Sequence, residues 1–149
     1  MKKVIKAVVL SFLLIVFSGC TTSKSYTYDV STGDKVKVSI ITSDGYDMTS
    51  SLPFDITKDD KTISTGTFAK KEAYDYYKNA VNNDASSKII DSGTKDNLTY
   101  FFYEHVGSTN EYNYIIKIKN SDTVVILGNT NSEKSAKNVF ENLNISLEK

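Results

Sequence analysis

The second half of the chain alternates short apolar runs with short polar loops. Four runs are rich in β-branched and aromatic residues, and Gly, Ser, Asn and Asp fill the loops between them. The runs cover residues 87–91, 98–106, 111–119 and 123–128. Runs of this kind predict β-strands, and such short connections make consecutive strands antiparallel neighbours. We therefore predict an antiparallel meander in this half of the chain.

The run at residues 98–106 carries large apolar side chains on both of its faces. Leu98, Tyr100 and Phe102 share one face, while Phe101 and Tyr103 share the other. Successive side chains in a strand point to opposite faces, so a run that is apolar on both is typical of a sheet covered on both sides. We therefore expect a layer of structure on each face of the meander.

Two segments have a helical period instead. Apolar side chains recur at spacings of three and four within residues 69–83, which predicts a middle helix ending at Asn82-Asn83. Thr130 and Glu133 have the spacing of a capping box and predict the start of a C-terminal helix. The expected packing positions are Ala69, Ala73, Tyr76 or Tyr77, Ala80 and Val81 in the first helix, and Ala136, Val139, Phe140 and Leu143 in the second. The final "ISLEK" is expected to add a short strand or a docked tail.

Strand patterns also occupy residues 36–64. Residues 36–41 alternate apolar and polar side chains before a turn at 43–45, and residues 52–56 and 61–64 flank the turn cluster 57–60, which predicts a hairpin. The preceding residues 20–35 are polar with little periodicity, so we interpret them as a flexible tether. A random coil of this length has an end-to-end distance of about 20 Å. The expected single domain is then residues 36–149.

These elements predict an α+β fold in which an antiparallel sheet is covered by a middle helix and a C-terminal helix. The order of elements over residues 36–147 resembles that of the PsbP-like α/β/α sandwich, which occurs in many small secreted or lipid-anchored proteins. The resemblance rests on the order of the predicted elements and on their patterns of apolar and polar residues. It implies no activity, because one fold hosts many functions.

The N-terminal segment has the layout of an export signal. Lysines at positions 2, 3 and 6 precede residues 7–17, which are apolar except for Ser11, and the small residues Ser18 and Gly19 follow. This is the arrangement of a secretory signal peptide, and the apolar run is shorter than the roughly 20 residues a spanning helix needs. We predict that residues 1–19 are removed.

The cysteine that follows gives this signal a more specific interpretation. Cys20 is the one cysteine of the chain, and Val16-Phe17-Ser18-Gly19-Cys20 resembles the lipobox of a bacterial lipoprotein precursor, with Phe17 where leucine is usual. The resemblance implies that Phe17, Ser18 and Gly19 form the signal-peptidase motif and that the Cys20 sulfur is diacylated. A buried thiol is the alternative for Cys20, and a disulfide would need a second cysteine. We expect a lipid anchor on the outer face of the cell membrane.

Charge and composition narrow the classes of partner. Three of the 18 lysines and none of the 18 acids precede Cys20, so the remaining chain carries a net charge of −3, and it contains no arginine. A mildly acidic chain is a poor candidate for binding nucleic acid, which requires a basic surface. Abundant Lys, Asn and Ile favour an AT-rich genome and a Gram-positive host.

No catalytic or cofactor motif stands out. His105 is the one histidine, so zinc and transition-metal sites are not expected, and no glycine-rich phosphate-binding motif is present. The aspartates at positions 44, 47, 55, 59 and 60 do not have the spacing of a calcium loop. We expect no cofactor and no metal. An alternative is a small envelope hydrolase that uses Asp/Glu pairs or His105.

Tyrosines supply the remaining candidate site. Ten are present, and four lie on two adjacent predicted strands: Tyr100, Tyr103, Tyr112 and Tyr114. Tyrosine is enriched in binding surfaces, although strands favour it in any case and packing beneath the helices is the alternative. For Tyr74, Tyr76 and Tyr77 we favour helix packing over a cofactor site. The expected function is non-enzymatic binding of a peptide or an envelope protein, as in peptide sequestration, immunity or assistance to an envelope complex.

Overall fold

A computed structural model describes residues 21–148, which form ten strands and two helices. The strands are β1 (Ser23–Asp29), β2 (Lys35–Ile41), β3 (Tyr46–Met48), β4 (Phe54–Lys58), β5 (Lys61–Lys70), β6 (Ser87–Lys95), β7 (Leu98–His105), β8 (Glu111–Ile118), β9 (Thr123–Asn129) and β10 (Leu143–Leu147). The helices are α1 (Glu72–Asn83) and α2 (Glu133–Asn142). All strand pairs are antiparallel, so the predicted α+β class is confirmed.

Seven strands form the main sheet, in the order β3-β4-β5-β9-β8-β7-β6. The predicted meander is the β6-β7-β8-β9 part of this order. The hairpin of β4 and β5 extends it, because β5 pairs along its length with β9, from Ser64 opposite Asn129 to Lys70 opposite Thr123. Segments far apart in sequence thus meet at the centre of the sheet.

Each face of the main sheet is covered, as the two-sided β7 predicts. On one face Phe101, Ile115 and Val124 pack against Tyr74 and Val81 of α1. On the other face, Phe102 and its neighbours pack against α2 and a second sheet of three strands, in the order β1-β2-β10. The prediction of one sheet covered by helices was therefore incomplete, because the second sheet supplies much of this layer. Burying each large apolar side chain contributes about 1.5–3 kcal/mol.

The N-terminal edge of the domain differs from the prediction. A flexible tether over residues 20–35 is wrong from Ser23 onward, because Ser23–Asp29 is strand β1 and pairs with β2 over its whole length. Tyr28 is 5% exposed and packs on Phe54 and Phe68, at centroid distances of 5.5 and 5.4 Å. Burial of this one aromatic side chain and a full ladder of backbone hydrogen bonds hold a segment whose composition is polar.

Both helices begin later than predicted. Ala69 lies in β5, opposite Val124, and α1 begins at Glu72. Helix α2 is capped by Ser132, whose Oγ accepts a hydrogen bond from the Ser135 amide at 3.0 Å, so the predicted cap at Thr130 was wrong. The cause is β9, which extends to Asn129 and leaves residues 130–131 in the turn before the helix. Of the short strand and the docked tail expected at the C-terminus, the structure has the strand, β10, and it begins at Leu143, which was predicted to lie on the second helix.

Across residues 21–148, neither helix has the length and apolar character needed to cross a membrane. The predicted signal peptide and the lipobox residues Phe17, Ser18, Gly19 and Cys20 lie outside the described residues.

Candidate functional site

The four tyrosines proposed from the sequence do not form one exposed surface. Tyr114 is only 3% exposed and is stacked between Phe102 and Phe140, at centroid distances of 4.2 and 4.3 Å. Tyr100 packs on the same Phe140 ring at 4.8 Å. These aromatic side chains form the contact between the main sheet and α2, so their role is packing.

The other two tyrosines lie apart from this contact. Tyr112 is half-buried on the α2 side of the sheet, opposite Glu104. Tyr103 lies on the opposite face, beside Phe101 in the layer under α1, and burial raises its pKa to about 12. Strand periodicity alone separates Tyr103 from the other three tyrosines. Even-numbered residues of β7 and β8, such as Tyr100, face α2, and odd-numbered residues, such as Tyr103, face α1.

His105 lies in a small polar cluster at the end of β7. Its Nδ1 is 3.0 Å from Ser87 Oγ and 3.3 Å from Asp84 Oδ2, and Ser87 Oγ donates a hydrogen bond to the same carboxylate at 2.7 Å. That hydrogen bond from Ser87 is the main cause of a lowered Asp84 pKa.

The geometry of this cluster differs from that of a catalytic triad. In a triad the nucleophile and the carboxylate contact different nitrogens of the imidazole ring. Here both contact Nδ1, and the Ser87 hydroxyl donates its hydrogen bond to the carboxylate. The histidine is therefore not placed to take a proton from Ser87 while Asp84 orients its ring through the other nitrogen.

The aspartates singled out in the sequence are dispersed. Asp47 pairs with Lys24 at 2.6 Å, and Asp55 accepts a hydrogen bond from Thr65 at 2.8 Å. Asp59 and Asp60 occupy the β4–β5 turn with positive φ angles of 49° and 63°. Within the described part of the chain, no three His, Cys, Asp or Glu side chains come together in a way that would hold a metal ion.

A groove that the sequence did not predict lies at one end of the main sheet. Three strands that are adjacent in space form it: residues 62–65 of β5, Glu111 and Asn113 of β8, and residues 128–130 at the end of β9. Its volume is about 240 Å³. Apart from Ile63 and Gly128, its lining residues carry hydroxyl, amide or carboxylate groups, and none of them is aromatic or basic.

Asn113 is the unusual residue of this groove. It is 8% exposed, and its Nδ2 is enclosed with no hydrogen-bond partner in the described structure. A buried polar group without a partner costs about 1–3 kcal/mol. Such groups are uncommon in folded proteins and often mark functional positions.

The buried Asn129, on the neighbouring strand, provides a comparison within the same sheet. Its Nδ2 donates to Ser64 Oγ at 2.9 Å and to Ser135 Oγ at 3.1 Å, and its Oδ1 accepts from the amides of Asn131 and Ser132. Asn129 thus uses its whole amide to join β5, β9 and the start of α2. Asn113 contributes no comparable bond to the fold.

Gly128 keeps the space beside the Asn113 amide open. It lies directly opposite Asn113 in the β8–β9 ladder, and a Cβ at this position would come 3.1 Å from Asn113 Oδ1. Such a contact is tighter than ordinary van der Waals packing, so a side chain here would crowd the amide and fill the groove.

Glu111 supplies the charge. It is exposed, lies two residues from Asn113 on the same face of β8, and its side chain forms no hydrogen bond or ion pair within residues 21–148. His105 lies opposite it in the β7–β8 ladder. The groove therefore joins an enclosed amide to a solvated carboxylate.

One signal in the sequence could have revealed the groove. In "EYNYIIKIK", Asn113 takes a position on the same face as the core residue Ile115, where an apolar side chain is expected. The other residues that line the groove come mainly from 62–65 and 128–130, however, and no local sequence pattern brings these segments together.

Comparisons with protein families, with curated proteins and with solved structures found no match to this chain.

Proposed function

We propose that this protein is a bacterial lipoprotein whose domain binds a peptide or an envelope protein on the outer face of the cell membrane, without catalysing a reaction. The observation that carries the binding function is Asn113, a nine-tenths-buried amide with an enclosed, unpartnered Nδ2 beside an open groove. A buried amide whose N–H group makes no hydrogen bond within the fold costs stability, and such a group calls for an explanation such as binding.

Anchoring through a lipid on Cys20 is the second part of the proposal, and it rests on the lipobox resemblance. Two acyl chains on one residue hold a protein on a bilayer far longer than one chain does. Strand β1 begins at Ser23, three residues after Cys20, and three extended residues span about 10 Å. The domain would therefore lie against the lipid headgroups.

For the fold we propose the finer assignment of a PsbP-like α/β/α sandwich. Support comes from the two helices, since α1 packs on one face of the main sheet and α2 on the other. An experimentally determined structure, superposed on members of that fold, tests the assignment.

The binding function is tested by crosslinking on intact cells that express the tagged full-length protein, followed by mass spectrometry. We expect a discrete partner that is captured by wild type and lost in Asn113→Val, with Asn144→Val as a matched control at an exposed position. A Cys20→Ser form controls for mere proximity to the membrane. Identical capture by wild type and Asn113→Val would remove the groove from the proposal.

The alternative function is hydrolysis by the cluster of Asp84, Ser87 and His105, whose polar atoms lie within 3.3 Å of one another. Because Ser87 and Asp84 share one imidazole nitrogen, we expect no activated serine. Labelling with a serine-directed fluorophosphonate tests this expectation. Labelling of wild type that disappears in Ser87→Ala would favour the hydrolase.

A further inference from the structure

The groove contains two polar groups on one strand that the fold leaves available for a ligand. Glu111 and Asn113 are two residues apart on the same face of β8, which places their Cα atoms about 7 Å apart. One is an amide at the floor of the groove, and the other is a carboxylate at its mouth. A ligand that satisfies both needs two complementary groups at a similar separation.

The amide favours a hydrogen-bond acceptor. Asn113 Oδ1 lies on the Gly128 side, and Nδ2 is enclosed. The terminal torsion of asparagine is two-fold and soft, so a half-turn exchanges the two atoms. An enclosed carbonyl is better tolerated than an enclosed N–H group. A ligand carbonyl over Gly128 would therefore favour the turned amide and accept its Nδ2 hydrogen bond.

The carboxylate favours a cation. No lysine lines the groove beside Glu111, and His105, opposite it in the β7–β8 ladder, is directed through Nδ1 to Ser87 and Asp84. The adjacent groove carries Lys58 and Lys61 together with Asp59. Opposite charge at the mouth attracts an ammonium or guanidinium group. The net charge of −3 on the chain from Cys20 onward also attracts a cationic ligand.

The groove has room for about one residue, and it adjoins a larger groove along Thr62 and Ile63 into which a longer ligand would continue. Sites that enclose a whole small molecule usually measure about 300–1,000 Å³, and this groove has about 240 Å³. None of the lining residues is aromatic, and Tyr103, which lies opposite Asn113 in the β7–β8 ladder, packs beside Phe101 under α1. A sugar ring or a base would therefore find no aromatic face within the groove itself.

We propose that the groove binds one basic residue of an extended peptide, with the peptide carbonyl on Asn113 Nδ2 and the side-chain cation on the Glu111 carboxylate. This inference rests on the proposed binding function and specifies its ligand class. The four-carbon stem of lysine spans the separation between the two groups. Gly128 allows the peptide backbone to approach the sheet.

The test measures binding of three small probes to the full chain in detergent micelles, through the NMR resonances of the Asn113 side-chain amide. These resonances are identified by their absence in Asn113→Val. The probes are Nα-acetyl-lysine methylamide, its norleucine analogue, which has a similar apolar stem and no charge, and N-acetylglucosamine. We expect the lysine probe to bind about twofold to fivefold more tightly than the norleucine probe, as an exposed ion pair allows.

The variants separate the two contacts. Asn113→Val and Gly128→Ala should weaken the lysine probe by about tenfold, the size of one hydrogen bond. Glu111→Gln should remove the difference between lysine and norleucine. Glu104→Gln is the matched control, because Glu104 carries the same charge on the neighbouring strand but faces the opposite side of the sheet. It should leave both affinities unchanged.

Three outcomes would overturn the inference: no shift with the lysine probe, equal affinity for lysine and norleucine in wild type, or tighter binding of N-acetylglucosamine. A partner crosslinked in cells without lysine binding would refute the ligand class and leave the binding function standing. Lysine binding without any captured partner would support the ligand class and count against a stable protein partner in the cell.

Discussion

At the scale of single residues, two buried asparagines in adjacent strands have opposite roles. Asn129 makes four hydrogen bonds that join β5, β9 and the turn into α2, whereas the Asn113 Nδ2 makes none. Burial alone does not distinguish them, since they are 2% and 8% exposed. Their hydrogen-bond partners assign Asn129 to the fold and leave Asn113 available for a ligand.

This contrast predicts opposite effects on stability. Asn129→Val should lower the free energy of unfolding by at least about 2 kcal/mol, because it removes four hydrogen bonds and leaves partners unsatisfied. Asn113→Val should leave it unchanged or raise it, because it removes an enclosed N–H group that has no partner. Urea denaturation of both variants measures the difference. A large loss of stability in Asn113→Val would show that its amide supports the fold.

At the scale of elements, side chains from distant strands complete the ends of helices and loops. Lys95, at the end of β6, donates from Nζ to the carbonyls of Phe140, Glu141 and Leu143 at 2.8, 3.1 and 3.0 Å. The last carbonyls of a helix lack partners within the helix, and a cation there also favours the helix dipole. Burial lowers the Lys95 pKa, yet the three acceptors hold the ammonium group at the end of α2.

Lys95→Met keeps most of the apolar stem and removes the three donors. We expect a loss of about 1–3 kcal/mol in the free energy of unfolding, because three carbonyls at the end of α2, two of them partly buried, lose a charged donor. Lys88→Met, at an exposed position of the same strand, is the control and should change stability little. Equal stability of the two variants in urea would contradict the capping role.

Asp34 makes a second connection of this kind, between the β1–β2 turn and the loop before β9. Its Oδ2 accepts hydrogen bonds from Ser121 Oγ at 2.6 Å, Thr123 Oγ1 at 2.8 Å and the Asp122 amide at 3.1 Å. The bond from Ser121 is the largest cause of its lowered pKa. The ionised carboxylate therefore holds the β1–β2 turn to the start of the central strand β9.

The lowered pKa predicts the direction of a pH effect. Since the folded-state pKa of Asp34 lies below its unfolded value, its contribution to stability is complete above the unfolded pKa of about 4. That contribution is lost as the pH falls through the folded-state pKa. Thermal unfolding at a series of pH values from 7 downward should show a smaller acid-induced loss in Asp34→Asn than in wild type. An identical pH dependence would contradict this role.

At the scale of the whole molecule, the position of β1 changes the geometry of the proposed anchor. The tether predicted over residues 20–35 would have held the domain about 20 Å from the membrane. With β1 starting at Ser23, the distance from a lipid on Cys20 is about half as long. The domain would then lie close to the membrane surface.

The anchor itself remains a prediction. Cys20→Ser removes the acceptor of the acyl chains, so we expect uncleaved precursor or protein released from the membrane. Metabolic labelling with radioactive palmitate, together with membrane fractionation, measures both outcomes. Processing and membrane retention of the variant at the wild-type level would rule out the lipoprotein.

Local patterns determined most of the elements and the two-sided burial of the main sheet. Alternation over residues 98–119 identified β7 and β8, and the apolar side chains on both faces of β7 required two covering layers, because strand geometry fixes which face each residue takes. The export and anchoring hypothesis also comes from contiguous residues, 1–20. These features could be predicted because their physical causes act within a few residues.

Only the tertiary structure determined the partners. Residues 23–29 are largely polar, and they form a strand because they pair with the edge of β2 and because Tyr28 packs on Phe54 and Phe68. The groove required β5 to lie beside β9, which brings residues 62–65, 111–113 and 128–130 together. Whether a buried amide is satisfied depends on atoms from segments distant in sequence. The hydrogen bonding of Asn113 and of Asn129 therefore could not be predicted from the sequence, and only the tertiary structure distinguishes the two residues.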